Sequence, residues 1–177
     1  TLDVYDRYGL VDLIRRVHSD PVVSDEGGLT ETRQYRTYIE AFESAAQRKW
    51  DLVGPYVNAG RVLDIGCASG GMLEIAARDA RLWESDLIGV EVARHLYEEC
   101  QHKKAQGAFD NPNVYFYQRN LLTGDVFPSR SIDTTITVAL THEIYSYGDR
   151  LPALRSFAET IYRHTVPGGV WVNSVVL

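Results

Sequence analysis

Short apolar runs alternate with helix-like stretches throughout the part of the chain that follows Gly60. Strands that alternate with helices predict right-handed βαβ crossovers and an α/β fold with a mostly parallel, doubly wound sheet. We predict strands at Arg61–Ile65, Leu87–Val92, Val114–Gln118, Ile132–Leu140 and Gly169–Val176, and helices at Gly71–Ala80, Arg94–Gln106 and Leu151–His164.

The first part of the chain has a different pattern. Apolar residues recur at spacings of three and four over residues 1–18 and again from Thr30 to Val53, as they do in amphipathic helices. The Gly54-Pro55 pair closes the second of these helices. We therefore divide the chain into an N-terminal helical cap, residues 1–56, and a sheet domain, residues 57–177.

Composition excludes several classes of protein. The chain has 177 residues, of which 45% are hydrophobic and 24% charged, so whole-chain disorder is excluded. Its 18 basic and 24 acidic residues give a net charge of −6, which disfavours non-specific nucleic-acid binding but leaves a specific RNA substrate open. The Arg48-Lys49 pair is interpreted as part of a solvated helix face.

The cysteine content and the hydropathy pattern bear on location. Cys67 and Cys100 are the only cysteines and provide no disulfide framework, which is typical of a reducing compartment. No run approaches the length of a membrane span, and nothing near Thr1 resembles a signal peptide. We expect a cytoplasmic protein without a membrane partner.

A glycine-rich turn separates the first predicted strand from the helix that follows it, in the segment RVLDIGCASGGMLE (61–74). Gly66 and Gly70 allow the backbone to turn sharply and to approach a ligand closely. Asp64 lies at the strand end, two positions before the first glycine. Dinucleotide-binding folds do not need a carboxylate there, but a ligand that bears an ammonium group does. An ordinary tight turn is the structural alternative.

This segment resembles motif I of the class I S-adenosylmethionine-dependent methyltransferases, whose common form is VLDIGCGxG. Ala68 stands where the family usually has its middle glycine. The resemblance extends over about Val57 to Val176 and implies a Rossmann-like sheet of strand order 3-2-1-4-5, with S-adenosyl-L-methionine as the cofactor. The residues that it implies for cofactor binding in this motif are Asp64, Gly66, Cys67, Ala68 and Gly70.

Further cofactor contacts follow from the ends of the next strands. Glu91 ends the second strand about 20 residues after the glycines, where a carboxylate can accept both ribose hydroxyls of a nucleoside. The family usually has Asp at the position of Asn120, where it reads the adenine amino group, and the Asn carbonyl can serve instead. The neighbouring residues Val92, Leu121 and Ala139 complete the predicted cofactor site.

The fourth strand leads into candidate residues for the chemistry. In an open parallel sheet the ligand crevice lies at the carboxyl ends of the strands where their order reverses, here between strands one and four. We predict that His142 is the catalytic base or orients the acceptor, with Glu143 as its partner, and that Tyr145 and Tyr147 line the acceptor in a loop. A structural role for His142, and simple loop packing for Tyr145 and Tyr147, remain the alternatives. No metal site is predicted.

Together these features predict a methyltransferase that acts on an oxygen or nitrogen of a small-molecule acceptor. An RNA methyltransferase and a methyltransferase-like module without catalysis are the alternatives. The resemblance also implies that the helix over Thr30–Val53 covers the cofactor as a lid, with Tyr35 and Tyr38 as candidate contacts. The last sheet strands of the family are absent from the sequence, so we expect further chain or a second protomer to cover the C-terminal edge.

Overall fold

The computed structural model describes residues 45–175. Contacts divide the chain into two compact units, Thr1–Arg48 and Lys49–Leu177. Tyr35, Tyr38 and most of the predicted cap lie outside the described residues, so the lid remains a prediction. The described part of the second unit begins with helical residues 49–53 and a 3-10 turn at Gly54–Tyr56.

A five-stranded parallel sheet forms the centre of this unit, in the order β3-β2-β1-β4-β5. This order and the α/β class confirm the prediction from the sequence. The strands are β1 (Arg61–Ile65), β2 (Asp86–Glu91), β3 (Val114–Gln118), β4 (Ile132–Val138) and β5 (Thr165–Ser174), and the helices are α1 (Gly71–Ala76), α2 (Arg94–Ala105), α3 (Thr141–Tyr147) and α4 (Arg150–His164).

Helices pack on both faces of the sheet and form two separate cores. On one face the strand residues Val62 and Leu87 pack with Leu73 of α1 and Cys100 of α2. On the other face a second cluster comprises Leu63, Ile65, Ile88, Val90, Leu121, Ile132, Ile144, Phe157 and Ile161. Because the central strands are buried on both sides, β1 and β2 are nearly continuous apolar runs, and this explains why they are recognisable in the sequence.

Several predicted boundaries are wrong, each for a local reason. Helix α1 ends at Ala76 because Asp79 leaves the helical conformation and caps a new 3-10 turn at Ala80–Leu82. Strand β4 ends at Val138 because Ala139 adopts a left-handed conformation, with φ of 55°.

The two outer strands of this sheet are β3 and β5. Strand β5 begins at Thr165, earlier than predicted, since Thr165 pairs with Ile132 and a register shift before Thr134 accommodates the extra residues. The covering of its outer edge by further chain or a second protomer remains a prediction. In the described part of the chain no helix is both long and apolar enough to cross a membrane.

Candidate functional site

The glycine-rich turn between β1 and α1 lies at the carboxyl end of the sheet. Gly66, Ala68 and Gly70 have φ values of 74°, 48° and 78°, so the turn passes through the left-handed region three times. The N–H groups of Gly66 and Cys67 donate to the Val90 carbonyl at 2.8 and 3.2 Å. These bonds hold the turn against the end of β2.

The ends of β1 and β4 meet at this turn. A Cβ atom on Gly66 would lie 3.2 Å from a terminal methyl group of Leu140, the residue that precedes α3. Leu140 therefore packs over the turn at the point where the strand order reverses. Leu140 is not among the predicted site residues, because an apolar residue after a strand is no indication of a ligand contact.

Asp64 carries a buried carboxylate and is the penultimate residue of β1, two positions before Gly66. It pairs with Gly89 of β2 and Ile136 of β4, and only 2% of its surface is exposed. Burial, with a smaller contribution from the negative charge of Glu91, raises the pKa of Asp64 from 3.8 to about 7. No hydrogen bond among residues 45–175 reaches this carboxylate. A buried charge of this kind favours a cationic ligand group.

Lys49 offsets part of this effect. Its positive charge lowers the pKa of Asp64, against the larger contributions from burial and Glu91. The Lys49 side chain itself is exposed. The sequence predicts a solvated helix face for the Arg48-Lys49 pair, and nothing in the local sequence indicates that Lys49 affects the pKa of a strand residue farther along the chain.

Glu91, the last residue of β2, is also buried, and its carboxylate accepts three hydrogen bonds from the backbone. One oxygen accepts from the N–H groups of Val92 and Ala93, both at 2.8 Å, and the other accepts from the Ala68 N–H at 2.9 Å. A carboxylate has about four lone-pair positions, so one remains for a ligand. Glu91 thus links the end of β2 to the glycine-rich turn.

Asn120 follows β3 and caps a 3-10 turn at Leu121–Thr123. Its side-chain carbonyl accepts from the Leu122 N–H at 2.9 Å, while the Leu121 side chain is buried in the core. The carbonyl that we assigned to the adenine amino group therefore already has a backbone partner. Its second lone pair and its amide nitrogen are the groups left for a ligand.

The loop predicted after β4 is wrong, because residues 141–147 form helix α3. Each residue of a helix is rotated by about 100° from the one before it, so Tyr145 and Tyr147 lie on nearly opposite sides of α3. They therefore do not line one surface together. His142 lies beside Tyr145 on the helix, and Glu143 lies beside Tyr147. This helix is not predicted from the sequence, because its seven residues are rich in tyrosine and show little apolar periodicity.

His142 and Glu143 occupy the first turn of α3 and are both exposed. Within residues 45–175 they form no hydrogen bond with each other. The preceding residue, Thr141, is buried, and its hydroxyl donates to the side-chain oxygen Oδ1 of Asn173 in β5 at 3.4 Å. The Thr137 hydroxyl donates to the same oxygen at 2.9 Å. Asn173 therefore joins the start of α3 to the sheet, a role that the sequence analysis did not assign.

No group of three or more His, Cys, Asp or Glu side chains in the described residues could hold a metal ion. The residues brought together at the carboxyl ends of β1 to β4 are those predicted for the cofactor: Asp64, Gly66, Cys67, Ala68, Gly70, Glu91, Val92, Asn120, Leu121 and Ala139. The predicted catalytic and acceptor residues follow on α3.

The model of a family described as a methyltransferase domain matches residues 62–169, more than half of the chain. No curated protein matches the chain. Among solved structures, geranyl diphosphate C-methyltransferase from Streptomyces coelicolor A3(2) is 20% identical, with a TM-score of 0.59 over 81% of this chain and 51% of that one. Its structure contains Mg²⁺, geranyl diphosphate and S-adenosyl-L-homocysteine.

Two further solved structures show the same fold. The [4+2]-cyclase SpnF is 22% identical, with a TM-score of 0.58 over 72% of this chain and 44% of that one. A methyltransferase dependent on S-adenosylmethionine from Aquifex aeolicus is 14% identical, with a TM-score of 0.52 over 71% and 68% of the two chains. This chain spans about half the length of the C-methyltransferase and of the cyclase.

Proposed function

Since the chain belongs to the family of methyltransferase domains, we propose that it transfers a methyl group from S-adenosyl-L-methionine to an oxygen or nitrogen of a small-molecule acceptor. The net charge of −6 favours a small acceptor over RNA. The similar structures include a C-methyltransferase and a cyclase, so the fold alone does not determine the acceptor.

The buried Asp64 carboxylate is the observation that carries the proposal. Burial, with a smaller contribution from the charge of Glu91, raises the pKa of this carboxyl group, and the ammonium group of the cofactor would supply a compensating positive charge. The remaining lone pair of Glu91 suits a ribose hydroxyl, and the positive φ of Gly66 allows the backbone of the turn to approach a ligand closely. These residues therefore fit S-adenosyl-L-methionine.

When bound, S-adenosyl-L-methionine supplies a methyl group on a positively charged sulfur, and the reactivity is that of the cofactor. The chain contributes alignment, which can be worth up to about 7–11 kcal/mol. An oxygen or nitrogen acceptor must lose a proton as it gains the methyl group. In this proposal the imidazole of His142 takes that proton, and Glu143 orients the acceptor or the histidine.

Two measurements test this function. Calorimetry with S-adenosyl-L-homocysteine, the demethylated form of the cofactor, measures whether the site binds it. The absence of binding contradicts the proposal. Transfer from S-adenosyl-L-methionine labelled at its methyl group is then measured with phenols, carboxylic acids, amines, carbon nucleophiles and RNA. Transfer to RNA or to carbon corrects the acceptor class, whereas binding without transfer to any of these favours the non-catalytic module.

A further inference from the structure

The peptide groups on either side of Ala68 are both held by side chains from distant parts of the chain. Its N–H donates to Glu91 at 2.9 Å, and its carbonyl accepts from the Cys100 thiol of α2 at 3.2 Å. Ala68 itself has φ of 48°, a conformation that a residue with a Cβ atom disfavours. The middle of the glycine-rich turn is therefore held in a strained conformation from two sides.

Cys100 has no contact with solvent and lies directly below the turn. A Cβ atom on Gly70 would lie 3.3 Å from the Cys100 sulfur and 3.3 Å from the Phe116 ring. In such surroundings water does not compete for the Ala68 carbonyl, so even a weak S–H donor contributes to its orientation. This hydrogen bond links α2 to the glycine-rich turn.

The neighbouring thiol is inert in this arrangement. The Cys100 thiol and burial raise the pKa of Cys67 far above its usual range, so that Cys67 remains protonated at neutral pH. The Cys67 sulfur lies 3.9 Å from the Ala68 carbonyl, well beyond the Cys100 distance. Of the two thiols, Cys100 is the one that holds this carbonyl.

We propose that Cys100 is a positioning residue of the cofactor site, whose thiol proton holds the Ala68 carbonyl and so fixes the glycine-rich turn in the conformation that accepts the ligand. The inference rests on the proposed function, in which this turn binds S-adenosyl-L-methionine. It assigns to α2 a part in cofactor binding, although no α2 side chain belongs to the predicted site.

The test compares Cys100→Ala, which removes the donor, with Cys100→Ser, which keeps one. Calorimetry with S-adenosyl-L-homocysteine should show about 2- to 10-fold weaker binding for Cys100→Ala, the range expected for one lost hydrogen bond. Cys100→Ser should bind within about twofold of wild type, because its hydroxyl also donates. Hydrogen exchange of the amides in residues 66–70 should be faster in Cys100→Ala alone.

Ile161→Ala is the matched control for lost packing. Ile161 is a buried residue of α4 on the opposite face of the sheet, so its truncation should lower the melting temperature without changing the affinity. Wild-type affinity and wild-type exchange in Cys100→Ala would overturn the inference, as would a Cys100→Ser variant no better than Cys100→Ala. If wild type does not bind the nucleoside, the proposed function fails, and the exchange rates still decide whether Cys100 holds the turn.

Discussion

The two halves of the candidate site are built differently. At the ends of β1 and β2, Asp64 and Glu91 are buried and the turn between them is held by backbone and side-chain hydrogen bonds. At the end of β4, His142 and Glu143 stand exposed on a short helix. The first half is fixed before any ligand arrives, whereas the second half offers side chains that an acceptor must still order. This contrast suits a fold in which one cofactor serves many acceptors.

The largest effect is expected from Asp64→Asn, which removes the buried charge from the first half. Affinity for S-adenosyl-L-homocysteine should fall by about 10²- to 10³-fold, since the ligand ammonium would lose its buried partner. Calorimetry measures the loss. Asp133→Asn is the matched control, because Asp133 accepts from the Arg61 N–H at the opposite end of the sheet. Equal losses in the two variants would contradict the assignment.

The same substitution should stabilise the protein without ligand. Since the pKa of Asp64 is raised from 3.8 to about 7, ionisation opposes folding, and wild-type stability falls as the pH rises between these values. At pH 8 Asp64→Asn should therefore melt at a higher temperature than wild type, by an amount that corresponds to at most about 4 kcal/mol. The difference should vanish near pH 4, which thermal unfolding at both pH values checks.

His142→Ala tests the exposed half. If His142 is the base, turnover with an acceptor found by the labelling experiment should fall about 10²-fold, while affinity for S-adenosyl-L-homocysteine stays the same. His102→Ala on α2 is the control. Normal turnover in a folded His142→Ala protein would remove His142 from the mechanism.

Glu91→Ala tests whether the first half depends on its backbone links. The substitution leaves three backbone donors without their acceptor as well as removing the ribose partner, so binding should weaken by about 1–3 kcal/mol and the melting temperature should fall. Glu91→Gln keeps one acceptor oxygen and should lie between wild type and Glu91→Ala. A melting temperature unchanged in both variants would mean that the hydrogen bonds to Ala68, Val92 and Ala93 do not contribute to the stability of the protein.

The sequence predicts the buried half of the site better than the exposed half. Asp64, the glycines and Glu91 lie in strands buried on both faces and in a turn with special φ values, so the backbone restricts which residues can stand there. Helix α3 was missed because it is short, and because Tyr145 and Tyr147 read equally well as loop residues. The partners of Ala68 were also hidden, since Cys100 lies 32 positions away and only the packing of α2 brings it close.

Ala68→Gly should have the smallest effect, and its sign is the informative part. Ala68 has φ of 48°, where a Cβ atom costs roughly 1–2 kcal/mol, although glycine also makes the unfolded chain more flexible. The net change should be a stabilisation of at most about 1 kcal/mol, or a rise of about 2–4 °C in melting temperature. Ala158→Gly, the same substitution within α4, should instead destabilise by about 0.5–1 kcal/mol.

Because Glu91 and Cys100 still hold the backbone at position 68, affinity for S-adenosyl-L-homocysteine should stay within about twofold of wild type. If Ala68→Gly lowers stability as much as Ala158→Gly does, the turn is not strained, and the rigidity of the first half has another source.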